Sequence, residues 1–326
     1  MVFACGDDAE PDLTAPGPEA GIHEPVNDAA TPTMDATHPT NSDAGGDASR
    51  VGDASSPDAA VSPVVSRGLS AGCGKAPPSG DGTAWREHDL TVSGVASAYL
   101  EGGAKYGQQH GFDFTHRNYF LRLPKDYAPA KPYALVISAG GCGATDGLSG
   151  KGGGSNPLSD DQSDAVQVGL SYVYPDGAGA CFADGSSDTP DLPYFDAVLA
   201  EIDARYCFDR DQVFVSGFSS GAWETYMLAC ARGGVIRAIG TQAGGLRKDR
   251  PQCSNVPVAA FLTAGIHDDN PIMNVDRSGF DTGSGHARDV ILKTNGCSSS
   301  ATEPYVTPNA PADWNCVRYT SCPAAY

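Results

Sequence analysis

Blocks of apolar and polar residues follow one another from about residue 90 onward, and they predict strands and helices in turn. The run 134–138 is almost continuously apolar, which is typical of a strand buried on both faces of a parallel sheet. Similar runs predict strands at 90–95, 117–123, 170–174, 213–215, 237–242 and 258–263. Apolar residues at helical spacing predict helices over 191–206, 222–232 and 287–293. This alternation indicates an α/β fold with a parallel sheet and right-handed crossovers.

The first 70 residues have a different composition. No aromatic residue occurs between Phe3 and Trp85, and residues 1–70 hold 12 acidic and 2 basic side chains, a net charge of −10 out of −19 for the chain. Such a segment has too few large apolar groups to offset the entropy cost of ordering it. We therefore expect a disordered acidic linker over 1–70 and one folded domain over 71–326. The acidic charge also argues against a nucleic-acid partner.

The chain begins with Val2-Phe3-Ala4-Cys5-Gly6, which resembles the lipobox of bacterial lipoproteins. In that motif the cysteine receives a lipid after a signal peptide is removed. Only four residues precede Cys5, and they contain neither the charged nor the apolar region of a signal peptide. Either the natural chain begins earlier or Cys5 has no such role. The acidic Pro/Ala/Asp tether that follows favours the lipoprotein interpretation, and no other stretch is long and apolar enough to span a membrane.

Beyond Cys5 the chain has nine further cysteines, a density that suits an oxidising compartment. They are Cys73, Cys142, Cys181, Cys207, Cys230, Cys253, Cys297, Cys316 and Cys322. No Cys-x-x-Cys pair occurs and no histidine lies at ligand spacing from a cysteine, so metal binding is the weaker interpretation. Because nine is an odd number, we expect one cysteine to lack a partner within this chain.

The sequence Gly217-Phe218-Ser219-Ser220-Gly221 lies between a short strand and a helix. Strand, Gly-x-Ser-x-Gly and helix in that order describe a nucleophile elbow. Such a turn crowds the backbone of the serine, so the residues two before and two after it must be small. The serine Oγ then stands at a helix N-terminus, where the dipole and free N–H groups favour negative charge. For the motif alone, a Gly/Ser loop without a catalytic role is the alternative.

Two further polar clusters follow predicted strands. The Gly-Cys-Gly turn 141–143 follows the strand at 134–138, and the His-Asp-Asp turn 267–269 follows the strand at 258–263. Ligands in parallel sheets bind at the carboxyl ends of the strands. Acyl transfer by serine needs a base, an acid that orients it, and donors for the oxyanion. The turn 267–269 therefore suits the acid, although an isolated Asp-Asp pair is more often an exposed acidic turn.

Taken together, these elements resemble secreted esterases of the polyhydroxybutyrate-depolymerase and feruloyl or acetylxylan-esterase type (carbohydrate esterase family 1). The matching stretches are 141–143, 174–177, 217–222, 267–271 and 287–297. The resemblance covers about residues 73–326. It implies an α/β-hydrolase fold, with a mostly parallel central sheet and helices on both faces.

Carried over by position, the resemblance implies Ser219 as the nucleophile and Asp269 as the triad acid, with Asp268 as the alternative. The oxyanion donors would be the backbone N–H groups of Cys142, or a neighbour in the glycine turn, and of Ser220. Gly140 stands where relatives commonly have a histidine that is structural in this loop. That difference bears on the geometry of the loop and not on the chemistry.

The triad histidine of the family lies near the C-terminus, in a Gly-His turn beyond the last strand. His286 is the only histidine after Asp269, and it directly precedes a predicted helix, as a surface residue would. His267 precedes the acid and fits a role in holding the acid loop. We therefore expect a catalytic domain truncated at its C-terminus, with the triad histidine beyond Tyr326 rather than at His286. A C-terminal tail with one further cysteine would also provide a partner for the cysteine that is expected to be unpaired.

The resemblance implies a secreted or surface-anchored serine carboxylic-ester hydrolase. Its substrate would be a hydroxyalkanoate polyester or the feruloyl or acetyl esters of plant polysaccharide. The alternative is a non-catalytic surface binding module, because the chain lacks an obvious base; peptidase activity on the same fold is a third interpretation. We expect a monomer without a metal or other cofactor, and membrane contact only through a lipid on Cys5.

Overall fold

The structure, a computed structural model, describes residues 2–7, 66–95, 114–142, 164–171, 181–182, 190–246, 253–254, 256–265, 283–305 and 314–323. The strands within these residues are β1 (Val2–Asp7), β2 (Arg86–Thr91), β3 (His116–Arg122), β4 (Tyr133–Ala139), β5 (Ala165–Leu170), β6 (Phe208–Phe218), β7 (Ala238–Gln242), β8 (Ala259–Thr263), β9 (Thr302–Pro304) and β10 (Trp314–Tyr319). They form one sheet in the order β2-β3-β5-β4-β6-β7-β8-β1-β10-β9. The six central strands run parallel, and β2, β3, β9 and β10 join at the two edges by antiparallel pairing.

Three helices accompany the sheet in the described residues: α1 (Asp191–Arg205), α2 (Ser220–Arg232) and α3 (Ser284–Thr294). Apolar side chains of α1 are buried at helical spacing, as at Phe195, Val198 and Ile202. The helix α2 is different, because every residue from 220 to 230 is buried. It packs on β4, β6 and β7, so its position is fixed by the centre of the sheet. None of these helices is long and apolar enough to cross a membrane.

The α/β class predicted from the alternation of strands and helices is confirmed. Two strands lie earlier than predicted. The strand predicted at 90–95 is β2, which ends at Thr91; on this edge strand only Leu90 is buried, so no apolar run marks it. The strand predicted at 170–174 is β5, which ends at Leu170. Its polar residue Gln167 is buried and accepts a hydrogen bond from Nε of Arg122 at 2.8 Å. Because Gln167 interrupts the apolar run, the sequence pattern does not indicate a buried strand at this place.

The N-terminal strand β1 lies inside the stretch that the sequence assigned to the linker. It runs parallel to β8 and antiparallel to β10. The folded unit comprises Met1–Ala9 and Val64–Tyr326, and Glu10–Pro63 form a separate unit outside the described residues. The folded unit therefore includes residues 1–9 and 64–70, which the sequence assigned to the linker. The short apolar run at the start of β1 suits a strand between two others, even though the linker composition begins directly after it.

Contacts of Asp211 explain why the residues just before 70 are ordered. The Ser66 hydroxyl donates to Asp211 Oδ2 at 2.7 Å, and Nε of Arg67 donates to Oδ1 at 3.0 Å. These hydrogen bonds lower the pKa of Asp211 to about 2. Further along, the Ser70 hydroxyl donates to the carbonyl of Tyr206 at 2.6 Å. The end of the linker is thus attached to β6 and to the end of α1.

The nine cysteines that follow Cys5 are all disulfide-bonded in the structure. The expectation that one of them is unpaired is therefore wrong. Four pairs are defined: Cys73–Cys207, Cys142–Cys181, Cys230–Cys253 and Cys297–Cys322. The ninth, Cys316, is also disulfide-bonded, and its Cα partner across the β1–β10 ladder is Cys5. A cysteine cannot carry both a lipid thioether and a disulfide, so the mass of the N-terminal peptide distinguishes the two roles of Cys5.

Candidate active site

Ser219 lies between the end of β6 and the start of α2, in the geometry expected of a nucleophile elbow. Its φ is 53° and its ψ is −120°, a conformation that residues with a side chain rarely adopt. Its backbone N–H donates to the carbonyl of Gln242 at the end of β7, at 3.0 Å. Its own carbonyl accepts from the N–H groups of Ala222 and Trp223 in the first turn of α2. Strand, neighbouring strand and helix therefore fix the serine backbone together.

The two glycines of the motif are required by close backbone approach. A β-carbon on Gly217 would lie 2.0 Å from the carbonyl oxygen of Gly221. A β-carbon on Gly221 would lie 2.0 Å from the carbonyl oxygen of Ala139, at the end of β4. No side chain larger than hydrogen fits at either position. The start of α2 is thus pressed against the end of β6 on one side and the end of β4 on the other.

The predicted oxyanion donors, Ser220 and Cys142, lie on the two segments that this packing brings together. Ser220 is the first residue of α2, where backbone N–H groups have no partner within a helix and the dipole is positive. Cys142 lies in the turn after β4, beyond the residues that contact Gly221. A β-carbon on Gly141 would be 3.1 Å from Cβ of Ser219. The glycine turn therefore lies directly beside the predicted nucleophile.

A disulfide and a hydrogen bond join the glycine turn to the elbow by a second route. Cys142 is bonded to Cys181. The next residue, Phe182, is buried, and its backbone N–H donates to Oγ of Ser220 at 2.9 Å. The covalent path from Cys142 through Cys181 to Phe182 thus ends in a hydrogen bond to Ser220. It connects the two residues whose N–H groups are the predicted oxyanion donors. We infer that this link keeps the two N–H groups at a fixed separation.

Removal of the Cys142–Cys181 disulfide is expected to lower kcat while leaving a folded protein. In the double variant Cys142→Ser, Cys181→Ser both backbone N–H groups remain, but the turn can move, so kcat should fall by about tenfold or more, short of the full loss of a donor. The control is Cys297→Ser, Cys322→Ser, which removes a disulfide elsewhere that spans 25 residues instead of 39. Both variants lose stability. Steady-state kinetics are measured below the unfolding transition of both variants. An equal loss of kcat in the two variants would contradict a specific role of the Cys142–Cys181 disulfide.

A buried ionic cluster supports the end of β5 near α2. Nη1 of Arg117 donates to Asp191 Oδ1 at 2.8 Å, with both side chains about 2% exposed. Nη2 of Arg117 donates to the carbonyl of Ser171, the residue after β5, at 2.8 Å. The guanidinium lies 3.9 Å from the ring centroid of Tyr194. Burial raises the pKa of Tyr194 to about 12, opposed by the charge of Arg117 and increased by the charges of Asp191 and Glu224.

The Glu224 carboxylate belongs to this neighbourhood from the side of α2. The residue is fully buried, and it follows Ser219 by little more than one helical turn. Its charge acts on Tyr194, whose hydroxyl donates to the carbonyl of Asn118 at 2.6 Å. Arg117 and Asp191 thus connect β3 to α1, and the charge of Glu224 acts on Tyr194 from the side of α2.

The structure brings some of the predicted site residues together and leaves others undescribed. Ser219, Ser220 and Cys142 lie at the carboxyl ends of β4 and β6, as the sequence predicts. Asp269, Asp268 and His267 lie outside the described residues, so the acid stays a prediction. His286 is the third residue of α3, which begins beside the first turn of α2: Oγ of Ser284 donates to the carbonyl of Gly244 at 2.5 Å, and a β-carbon on Gly244 would clash with Ala222. No described residue hydrogen-bonds to the Ser219 hydroxyl or to the His286 ring.

Sequence comparison finds relatives with one recurring name. A probable feruloyl esterase C of Aspergillus terreus is 29% identical over 194 residues, which cover 56% of this chain and 64% of the relative. Feruloyl esterase C of Emericella nidulans is 29% identical over 191 residues, 56% of this chain and 63% of the relative. Feruloyl esterase D of Neurospora crassa is 28% identical over 213 residues, 63% of this chain and 68% of the relative. The chain resembles feruloyl esterases. It spans just under two thirds of the first two relatives, and no family model matches it.

Solved structures of esterases are also among the matches of the chain. A CE1 ferulic acid esterase from Anaeromyces mucronatus, in complex with ferulic acid, gives a TM-score of 0.41 at 12% identity and covers 65% of this chain and 79% of that one. An acetyl xylan esterase from Aspergillus awamori gives a TM-score of 0.32 at 22% identity, over 38% of this chain and 45% of that one. With TM-scores below 0.5, these likenesses carry no argument about function.

Sequence reasoning missed three contributors to this region: the Cys142–Cys181 bond, the Phe182 contact with Ser220, and the ionic cluster around Arg117. The cysteines were visible, but their pairing was not encoded by spacing. The sequence signal for the cluster was the acid Glu224 beside the large apolar residues of a predicted helix. A charged residue in the middle of a buried helix indicates a partner on another element.

Proposed function

We propose that the protein is a serine carboxylic-ester hydrolase that acts on feruloyl esters, with Ser219 as the nucleophile. The observation that carries the proposal is the elbow, in which Ser219 has a φ of 53° at the start of the buried helix α2. The similarity to feruloyl esterases supports the substrate class. Acetyl esters of plant polysaccharide and hydroxyalkanoate polyesters are the wider range of substrates that the family resemblance suggests.

The proposed reaction proceeds in two steps. Oγ of Ser219 attacks the ester carbonyl carbon and its proton passes to the base; the tetrahedral oxyanion is bound by the N–H groups of Ser220 and Cys142. The intermediate collapses, the ester C–O bond breaks, and the leaving alcohol takes the proton from the base. Water then attacks the acyl-serine in the same way, which releases the carboxylic acid and restores the Ser219 hydroxyl. No redox step or metal is needed.

The base in this proposal is a histidine held in the correct tautomer by Asp269, with Asp268 as the alternative acid. An acid that orients the base contributes about 10⁴-fold in kcat in the general serine triad. His286 lies in the first turn of α3, where its backbone is fixed by the helix, and we do not assign the base to it. The role of His267 is to hold the acid loop.

The proposed location is outside the cytoplasm, in a secreted or surface-anchored form. Four defined disulfides support it, because such bonds persist in oxidising compartments. The same proposal includes an anchor through a lipid on Cys5. Such an anchor requires that the sulfur of Cys5 is not part of a disulfide. The proposed functional state is a monomer.

The test combines active-site labelling with a substrate panel on the full-length protein. A fluorophosphonate probe is expected to label Ser219, and the protein is expected to release ferulic acid from methyl ferulate. Failure of both reactions would leave a non-catalytic binding module as the function. Labelling together with hydrolysis of 3-hydroxybutyrate oligomers, but not of methyl ferulate, would replace feruloyl esters by the polyester as the substrate class.

A further inference from the structure

The residue before the proposed nucleophile, Phe218, has an aromatic side chain that is exposed to solvent. Its exposed fraction is 39%, and the other large exposed apolar side chains in the described part of the chain are Leu69 and Val256. Leu69 pairs with Asp209 at the start of β6, and Val256 precedes β8. Both therefore lie toward the amino ends of the strands. Phe218 alone of the three lies at the carboxyl end, where Ser219 is.

The ring of Phe218 lies directly over the glycine turn. A β-carbon on Gly141 would be 3.1 Å from Cδ1 and 3.3 Å from Cε1 of Phe218, and also 3.1 Å from Cβ of Ser219. The ring and the predicted nucleophile thus lie side by side on the same side of Gly141. An ester whose carbonyl reaches Ser219 and the N–H of Cys142 therefore lies beside the ring, which one of its two substituents can cover.

We propose that Phe218 is a specificity-determining residue, whose ring stacks on an aromatic acyl group of the substrate. The inference rests on the proposed esterase function and goes further by assigning the acyl preference to one side chain. An exposed ring gains apolar burial from any ligand that covers it, and a flat aromatic ligand adds the preferred offset stacking. A short aliphatic acyl group, such as acetyl, covers much less of the ring and offers no aromatic face to stack on it.

The test compares two esters with the same leaving group, 4-nitrophenyl ferulate and 4-nitrophenyl acetate. In Phe218→Leu the ratio of kcat/KM for ferulate to that for acetate is expected to fall about three- to tenfold, mainly through KM for ferulate. Phe218→Tyr retains an aromatic face and is expected to keep the wild-type ratio. A general weakening of the fold or the elbow would lower both rate constants and leave their ratio unchanged.

Three results overturn the inference. An unchanged ratio in Phe218→Leu, with wild-type hydrolysis of both esters, leaves the esterase function intact and removes the role of Phe218. A change that follows the alcohol instead, seen when methyl ferulate replaces 4-nitrophenyl ferulate, assigns the ring to the leaving-group side. If the wild-type protein cleaves the acetate but not the ferulate, the proposed substrate class fails and this inference fails with it.

Discussion

Ser219→Ala is expected to abolish ester hydrolysis, with kcat reduced by about 10⁵-fold or more, as for nucleophiles of serine hydrolases in general. The hydroxyl is the only group that the variant removes, and the elbow backbone is held by contacts that alanine keeps: the N–H of residue 219 to Gln242 and its carbonyl to Ala222. The variant should therefore fold normally. Hydrolysis of 4-nitrophenyl acetate and fluorophosphonate labelling measure the loss.

The matched control is Ser216→Ala, three residues earlier in β6. The Ser216 hydroxyl is buried, and its Oγ lies 3.2 Å from Oγ of Ser138 on β4. Its removal should cost about 1 kcal/mol of stability and leave kcat within a few-fold of wild type. Comparable activity in Ser219→Ala and the wild-type protein would eliminate Ser219 as the nucleophile, whatever the control shows.

Gly217→Ala is expected to destabilise the protein strongly, although it adds only one methyl group. The new β-carbon would lie 2.0 Å from the carbonyl oxygen of Gly221 and 2.5 Å from Oγ1 of Thr225. Both atoms belong to the buried helix α2, so the helix must shift as a unit. Overpacking in a core typically costs about 1–3 kcal/mol, and a backbone clash in a helix held on both sides should reach or exceed the upper limit.

Gly240→Ala on the adjacent strand β7 provides the control. A β-carbon there meets no atom within 4 Å. The same change of residue should therefore be neutral, or stabilising by up to about 1 kcal/mol through the unfolded state. Free energies of unfolding from urea denaturation give the comparison. Equal stability of Gly217→Ala and Gly240→Ala would show that the close approach of β6 and α2 is not a constraint in solution.

The elbow was predictable because its residues encode their own geometry. Two glycines at fixed distance from Ser219 are needed only where a strand and a helix pass within contact, and the structure has that contact. The central strands were predictable for a similar reason, since a strand such as β4 is buried on both faces and has to be apolar throughout. Local sequence is sufficient wherever a local conformation dictates the residue type.

Features that depend on distant partners could not be predicted in the same way. The Cys142–Cys181 bond spans 39 residues, and nine cysteines allow many pairings. Arg117 and Asp191 are 74 residues apart, and each by itself suggests an exposed residue. The six residues of β1 pair with strands more than 250 positions away, and nothing in their sequence specifies those partners. In each case the stabilising free energy comes from an interaction between two distant segments. The sequence of one segment alone does not identify the other.

The hydrogen bonds that fix the backbone of Ser219 are made by main-chain atoms: the carbonyl of Gln242 and the N–H groups of the first turn of α2. The side chain of Phe218 takes no part in those hydrogen bonds. The proposed nucleophile and the proposed acyl-contacting surface are therefore separable during evolution. Selection can replace the residues that contact an acyl or alcohol group without altering the positions of the nucleophile and the glycine turn, so one scaffold can acquire new esters as substrates through changes at its rim.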